Sequence, residues 1–233
     1  MSRKLSRRAL MMSAGCIIGT AGVGMVNPLK ADAVEALADD SLEMASKTIN
    51  DPESFKPRYV PTSPERAAEI AYDAYPVGSC MYAVVKGVVT AAAEKDDAVV
   101  PPIYFDMFKY GHGGCGGWGT LCGTCNAGAA TMGIFHQDKA LRDSLVDQLF
   151  HWYESTELPT YTPVGAEEIV TSQSDSVLCH VSMGVWCLMA DEDAFSKERK
   201  ERCRRLTADV AKKTVEILNA QYQLEQSGTV AEQ

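Results

Sequence analysis

The sequence predicts a mainly α-helical fold, a compact helical domain with a glycine-rich loop and an N-terminal extension. Three observations predict it. Apolar residues recur at helical spacing in five windows between residues 64 and 222. Ser63-Pro64, Ser79 and Asp138 stand directly ahead of three of these windows, where N-caps belong. Between the windows, residues 110–128 hold eight glycines in 19 positions, a density that suits neither helix nor strand.

In chain order the first element is a leader. Arg3, Lys4, Arg7 and Arg8 precede an uncharged stretch from Ala9 to Val26, and Ala31-Asp32-Ala33 offers small residues where a signal peptidase reads them. Residues 1–33 are therefore expected to be a twin-arginine signal peptide, cut before Val34. Its four glycines make the stretch too weakly apolar for a spanning helix, so no membrane span is expected in the mature form. Loss of the leader removes five basic residues and one acidic one, leaving 17 Lys+Arg against 30 Asp+Glu and a formal charge of −13. Such a surface repels nucleic acid.

Residues 34–63 are acidic and then proline-rich, which predicts a linker or surface arm. The helical domain follows over residues 64–225, with residues 226–233 as a tail. Ala67, Ala68, Ile70, Ala71, Ala74 and Tyr75 share a face up to a break at Pro76-Val77-Gly78. Ser79 then caps a second helix carrying Cys80, Val84, Val88 and Ala91. That position puts Cys80 in a first helical turn, where backbone N–H groups are expected to lower its thiol pKa. A small-residue helix is expected over about 121–135, a helix capped by Asp138 runs to about Tyr153, and residues 154–176 read as loop. A long terminal helix carries Leu206, Val210, Val215, Ile217, Leu218 and Tyr222, with Cys203 near its start among six basic residues in nine positions.

The leader leaves seven cysteines: Cys80, Cys115, Cys122, Cys125, Cys179, Cys187 and Cys203. In an oxidising compartment, disulfides are the ordinary reading, but an odd number leaves one thiol over. Export by the folded-chain route favours a cofactor inserted beforehand, and a cysteine-held iron-sulfur cluster is of that kind. Cys122-Gly-Thr-Cys125 is a CxxC pair outside a βαβ context, so a thioredoxin-like site is the weaker reading, thiol–disulfide exchange at Cys122/Cys125. Asn126 stands where covalent c-type haem needs His, and CxxCH occurs nowhere in the chain. His112 and His180 leave room for additional ligation or non-covalent haem. The glycine-rich segment lacks the Gly-Lys-Ser/Thr ending of a phosphate loop.

At these residues the chain resembles the C-GCAxxG-C-C family of redox-active proteins, and within it the split-Soret cytochrome c group. Cys80 in Gly-Ser-Cys-Met-Tyr resembles the first family cysteine, and Gly114-Cys115-Gly116-Gly-Trp-Gly119 resembles the GCAxxG element with Gly for Ala. Cys122-Gly123 and Cys179 resemble the remaining family cysteines. Met107 to Gly111, Leu178 to Ser182, Trp186-Cys187 and Glu201 to Leu206 extend the likeness over roughly residues 64–218.

What the resemblance implies is a helical, homodimeric electron-transfer protein rather than a substrate-transforming enzyme, located in the periplasm. Its iron-sulfur cluster, favoured as [2Fe-2S], would be held by four of Cys80, Cys122, Cys179, Cys187 and Cys203. Cys115, Cys125 and His180 would stand as further cofactor-binding residues. The group's covalent haems are not expected here, for want of CxxCH. The expected partner is a redox protein such as a multihaem cytochrome, docking through opposite charge.

Overall fold

The computed structural model describes residues 56–228, and the expected leader, cleavage site, residues 34–55 of the arm and residues 229–233 of the tail lie outside them. Among the described residues there are six helices and no strand. Five are α-helices: α1 Pro64–Ala93, α2 Gly123–Phe135, α3 Lys139–Ser155, α4 Cys179–Ala190 and α5 Lys197–Gln226. A 3₁₀ helix spans Phe105–Gly111.

α1 is capped by the Ser63 side chain, which accepts from the Arg66 amide, with Pro64 at the first helical position. It is not one rod. At Ser79 the backbone leaves helical geometry (φ 62°, ψ −162°) and the chain doubles back. The two arms then lie side by side so closely that a Cβ on Gly87 would meet the Ala67 carbonyl oxygen at 2.5 Å. At the open end of this hairpin, Arg66 pairs with Glu94 at 2.8 Å. By length and composition α1 could cross a membrane, with 61% of its most apolar window buried. The fold at Ser79 halves it, and neither arm reaches the roughly 20 residues of a span.

α5 packs along α1, and α2 and α3 close the core. Val84, Val85 and Val88 of α1 meet Leu206, Val210, Val215 and Leu218 of α5, with Met132, Leu145 and Leu149 from α2 and α3. Asp138 caps α3 by accepting from the Leu141 amide at 2.8 Å, and Ser196 caps α5 by accepting from the Arg199 amide at 3.0 Å.

One element differs from the sequence reading, and one has no counterpart in it. The end of the arm is not surface linker: Tyr59 and Thr62 are buried. Tyr59 Oη donates to Asn219 Oδ1, and Thr62 Oγ1 donates to the Ala91 carbonyl, both at 2.8 Å. Prolines had masked two inward-facing side chains there. The cysteine-bearing stretch after residue 178, to which the sequence reading gives no element, is also helical, as α4; it is mostly apolar, with His180 and Ser182 as its only strongly polar side chains, and shows no clear period.

Candidate functional site

The glycine-rich segment forms the wall that brings distant cysteines together. From Gly113 to Gly119 nearly every residue has positive φ, including Cys115 at 66°. The loop closes on itself through Gly119 N to Gly113 O (2.9 Å) and Thr120 N to Gly114 O (3.1 Å). It then pairs with the chain entering α4: Cys122 N donates to Val177 O (2.8 Å), Cys179 N to Thr120 O (2.7 Å) and His180 N to Gly119 O (3.1 Å). A side chain at Gly119, where φ is 72°, would place Cβ 2.9 Å from the His180 Cβ. At Gly123 a Cβ would lie 2.3 Å from the Gly111 carbonyl oxygen and 3.2 Å from Cys80 Sγ. Glycine at this position therefore lets the start of α2, and with it Cys122, approach Cys80.

The result is a cavity of about 690 Å³ whose wall includes Cys80, Cys122, Cys179 and Cys203. Each thiol comes from a different segment: the second arm of α1, the loop before α2, the first turn of α4 and the first turns of α5. His112, His180 and Trp118 also line it. His180 Nδ1 sits 2.7 Å from the Gly119 carbonyl oxygen, so this nitrogen carries the proton and Nε2 keeps its lone pair. A metal-binding histidine is usually held in this way.

The other expected cysteines fall elsewhere. Cys125 is fully buried behind Cys122. Cys115 is exposed on the glycine loop. Cys187 lies one face round α4, with its Sγ 3.7 Å from Met183 Sδ. None of the three lines the cavity.

The thiols do not share charge equally. Hydrogen bonds from Cys125 and Cys179, joined by that of Thr124, hold Cys122 well below the usual thiol range in spite of burial. Cys80 goes the other way. Burial, then the negative charge of Cys122 and Cys203, pushes it up to about 12. The expectation of a lowered Cys80 is thus corrected, because desolvation outweighs the backbone N–H groups of Gly113 and Cys80. Cys179 is raised by its hydrogen bond to Cys122 and by burial, and Cys125 by burial and the same neighbour.

Among the described residues no three His, Cys, Asp or Glu side chains stand close enough to share a single metal ion. Four thiols spaced around a cavity of about 690 Å³ instead fit a group larger than one ion, reached from several sides. The polar surroundings fit a negatively charged group. Arg202 is buried at the cavity wall, and its Nε has no hydrogen-bond partner.

A helical domain that gathers four cysteines and two histidines from distant segments around one cavity defines a cysteine-rich redox protein. Comparison with known proteins agrees. Residues 80–217 match the family model described as "Putative redox-active protein (C_GCAxxG_C_C)". The split-Soret cytochrome c of Desulfovibrio desulfuricans is 35% identical, over 92% of this chain and 78% of that protein. A solved structure of that organism's protein, described as holding a novel iron centre, superposes with a TM-score of 0.66 at 36% identity over 72% of each chain. The chain belongs to the C_GCAxxG_C_C family of redox-active proteins.

Proposed function

We propose that this protein is an exported one-electron carrier whose iron-sulfur cluster, of the [2Fe-2S] type, is bound by Cys80, Cys122, Cys179 and Cys203. The observation that carries this reading is the convergence of those four thiols on one cavity. Four thiolates complete the ligand set of such a cluster, which supplies one-electron chemistry when bound. The novel iron centre of the related Desulfovibrio protein supports an iron-containing group.

The chain's own residues do the rest. Thr124 and Cys125 are donors around Cys122, and hydrogen bonds to ligand sulfur set reduction potential. The wall formed by buried Leu206 and half-buried Tyr75 keeps bulk water from much of the site. The exposed side chains at its mouth, His112, Trp118 and His180, lead from the cavity to the surface. A homodimer is part of the proposal. Trp118 and Phe195, at 86% and 83% exposure beside the cavity, form an apolar rim of the kind that a second copy covers. The periplasm is the proposed location, from the twin-arginine leader, with a multihaem cytochrome or similar protein as redox partner.

Exchange chemistry at Cys122 and Cys125 is disfavoured by access, since Cys125 is 0% exposed and a disulfide substrate needs a reachable sulfur. The deciding experiment is purification from the native compartment without oxygen, followed by a visible spectrum and iron and sulfide analysis. Broad sulfur-to-iron absorption with matched iron and sulfide is expected. A colourless, iron-free protein would falsify the proposal, and sharp Soret and α bands would replace the cluster by haem.

A further inference from the structure

Arg202 is a buried cation that, among the described residues, has no carboxylate to match it. It lies in α5 directly before Cys203 and is 2% exposed. Its Nη2 donates to Ser182 Oγ at 2.7 Å and to the Ser182 carbonyl at 3.3 Å. Its Nη1 is 3.9 Å from Cys203 Sγ, and its Nε has no partner. Ser182 is itself held by Tyr153 Oη at 2.8 Å. Among the described residues, no carboxylate pairs with Arg202. Arg205, one turn on and also buried, shows the usual solution, pairing with Glu201 at 2.9 Å.

A guanidinium carries five N–H donors and never loses its charge in a protein. Burying it without a counter-charge is strongly unfavourable, and such sites persist where something else supplies the anion. Arg202 lines the cysteine-walled cavity, and its Nη1 lies 3.9 Å from the Sγ of Cys203, one of the four thiols on that wall. Two neutral hydroxyls, Ser182 and Tyr153, orient the guanidinium without neutralising it, which leaves its field directed at whatever the cavity holds.

We propose that Arg202 is a positioning residue serving as the built-in counter-charge of the thiolate-ligated group, and that it raises the reduction potential of that group. This rests on the proposed cluster function. Thiolate ligation makes the group anionic, and reduction adds one electron from the redox partner, to be returned on oxidation. No bond to Arg202 forms or breaks. A fixed positive charge at the wall stabilises the electron-rich state more than the oxidised one. Arg202→Met removes the charge at similar volume, whereas Arg202→Lys retains charge but loses the fork that grips Ser182.

The test compares the midpoint potentials of iron-loaded wild-type, Arg202→Met and Arg202→Lys proteins, with iron content and visible spectra as controls. At least a tenfold shift of the reduction equilibrium toward the oxidised state is expected for Arg202→Met, about 59 mV lower for a one-electron couple, and a smaller shift for Arg202→Lys. A second measurement covers a variant that loads poorly. Urea unfolding of the chelator-stripped proteins should find Arg202→Met at least as stable as the wild type, because the stripped wild type keeps a buried charge that has lost its main partner. An unchanged potential in iron-replete Arg202→Met overturns the inference while leaving the cluster reading intact. So does a stripped Arg202→Met that is much weaker or unfolded, since the guanidinium would then be only structural. A wild-type protein without iron overturns both together.

Discussion

Replacing Gly123 with alanine sets two effects of opposite sign against each other at the start of α2. Helix propensity alone favours the change by roughly 0.5–1 kcal/mol, since glycine loses the most backbone freedom on folding. Against this, the new Cβ would lie 2.3 Å from the Gly111 carbonyl oxygen and 3.2 Å from Cys80 Sγ. The closer atom is backbone at the end of the 3₁₀ helix and cannot swing away, so about an ångström of separation is needed. Forced repacking of that kind costs about 1–3 kcal/mol. At the middle of both ranges the net is a loss of about 1 kcal/mol, or roughly 2–5 °C in Tm for a domain of this size. Iron content should fall in parallel, because the same movement takes Cys122 away from Cys80. Gly184→Ala is the internal control: it sits inside α4 with nothing within 4 Å of its Cβ, so only propensity acts and Tm should rise slightly. Calorimetry of the two variants beside the wild type decides the matter. If Gly123→Ala is as stable as wild type, the close approach that assembles the cavity is not real.

Other expectations follow from the same geometry. Cys122→Ser and Cys203→Ser should each weaken iron retention by more than about tenfold in a chelator competition assay, since losing even a residue that only hydrogen-bonds to a ligand costs about that much. Cys115→Ser and Cys187→Ser, off the cavity wall, should retain iron like the wild type, and equal losses at all four positions would discredit the assignment. Asp209 provides a pH test remote from the cysteines. Burial pushes its carboxyl up to about 6, although Thr160 donates to it from its amide at 2.9 Å and its hydroxyl at 2.7 Å. A folded value above the unfolded one of about 3.9 means that the protonated form stabilises the fold below about pH 4, and that this contribution is lost as pH rises through 6. About two units correspond to at most about 3 kcal/mol. Asp209→Asn should abolish that slope, so the stability of the wild type relative to the variant falls between pH 4 and pH 7. Parallel urea-unfolding curves would rule this out.

Several elements were legible from residue order because they depend on neighbours in sequence. Ser63-Pro64, Asp138 and the 3.6-residue apolar periods of α1, α3 and α5 are local signals, and the structure ends its helices close to them. The break near Gly78 was legible too, but not its consequence, since only tertiary contact turns a kink at Ser79 into a hairpin with Gly87 against Ala67. α4 escaped because a short, mostly apolar helix that buries only Ser182 and Trp186 has no clear period to read.

The sequence by itself determined the helical class, the excess of acidic charge and the set of thiols and histidines from which a site could be drawn. It pointed to Cys80, Cys122, Cys179 and Cys203 but equally to Cys187, with the CxxC partner Cys125 as a further candidate. Only the tertiary structure decided among them. Facing one cavity depends on helix rotation and on close approaches at Gly119 and Gly123 between segments far apart in the chain. The same holds for charge. A first-turn position suggested a thiolate at Cys80, but burial and the Cys122 charge reversed it, because desolvation is set by everything packed around a group rather than by its neighbours in sequence. Arg202 was one basic residue among six beside Cys203, and nothing in the order of residues distinguished it. Packing alone buried it, denied it a carboxylate and turned it to the cavity.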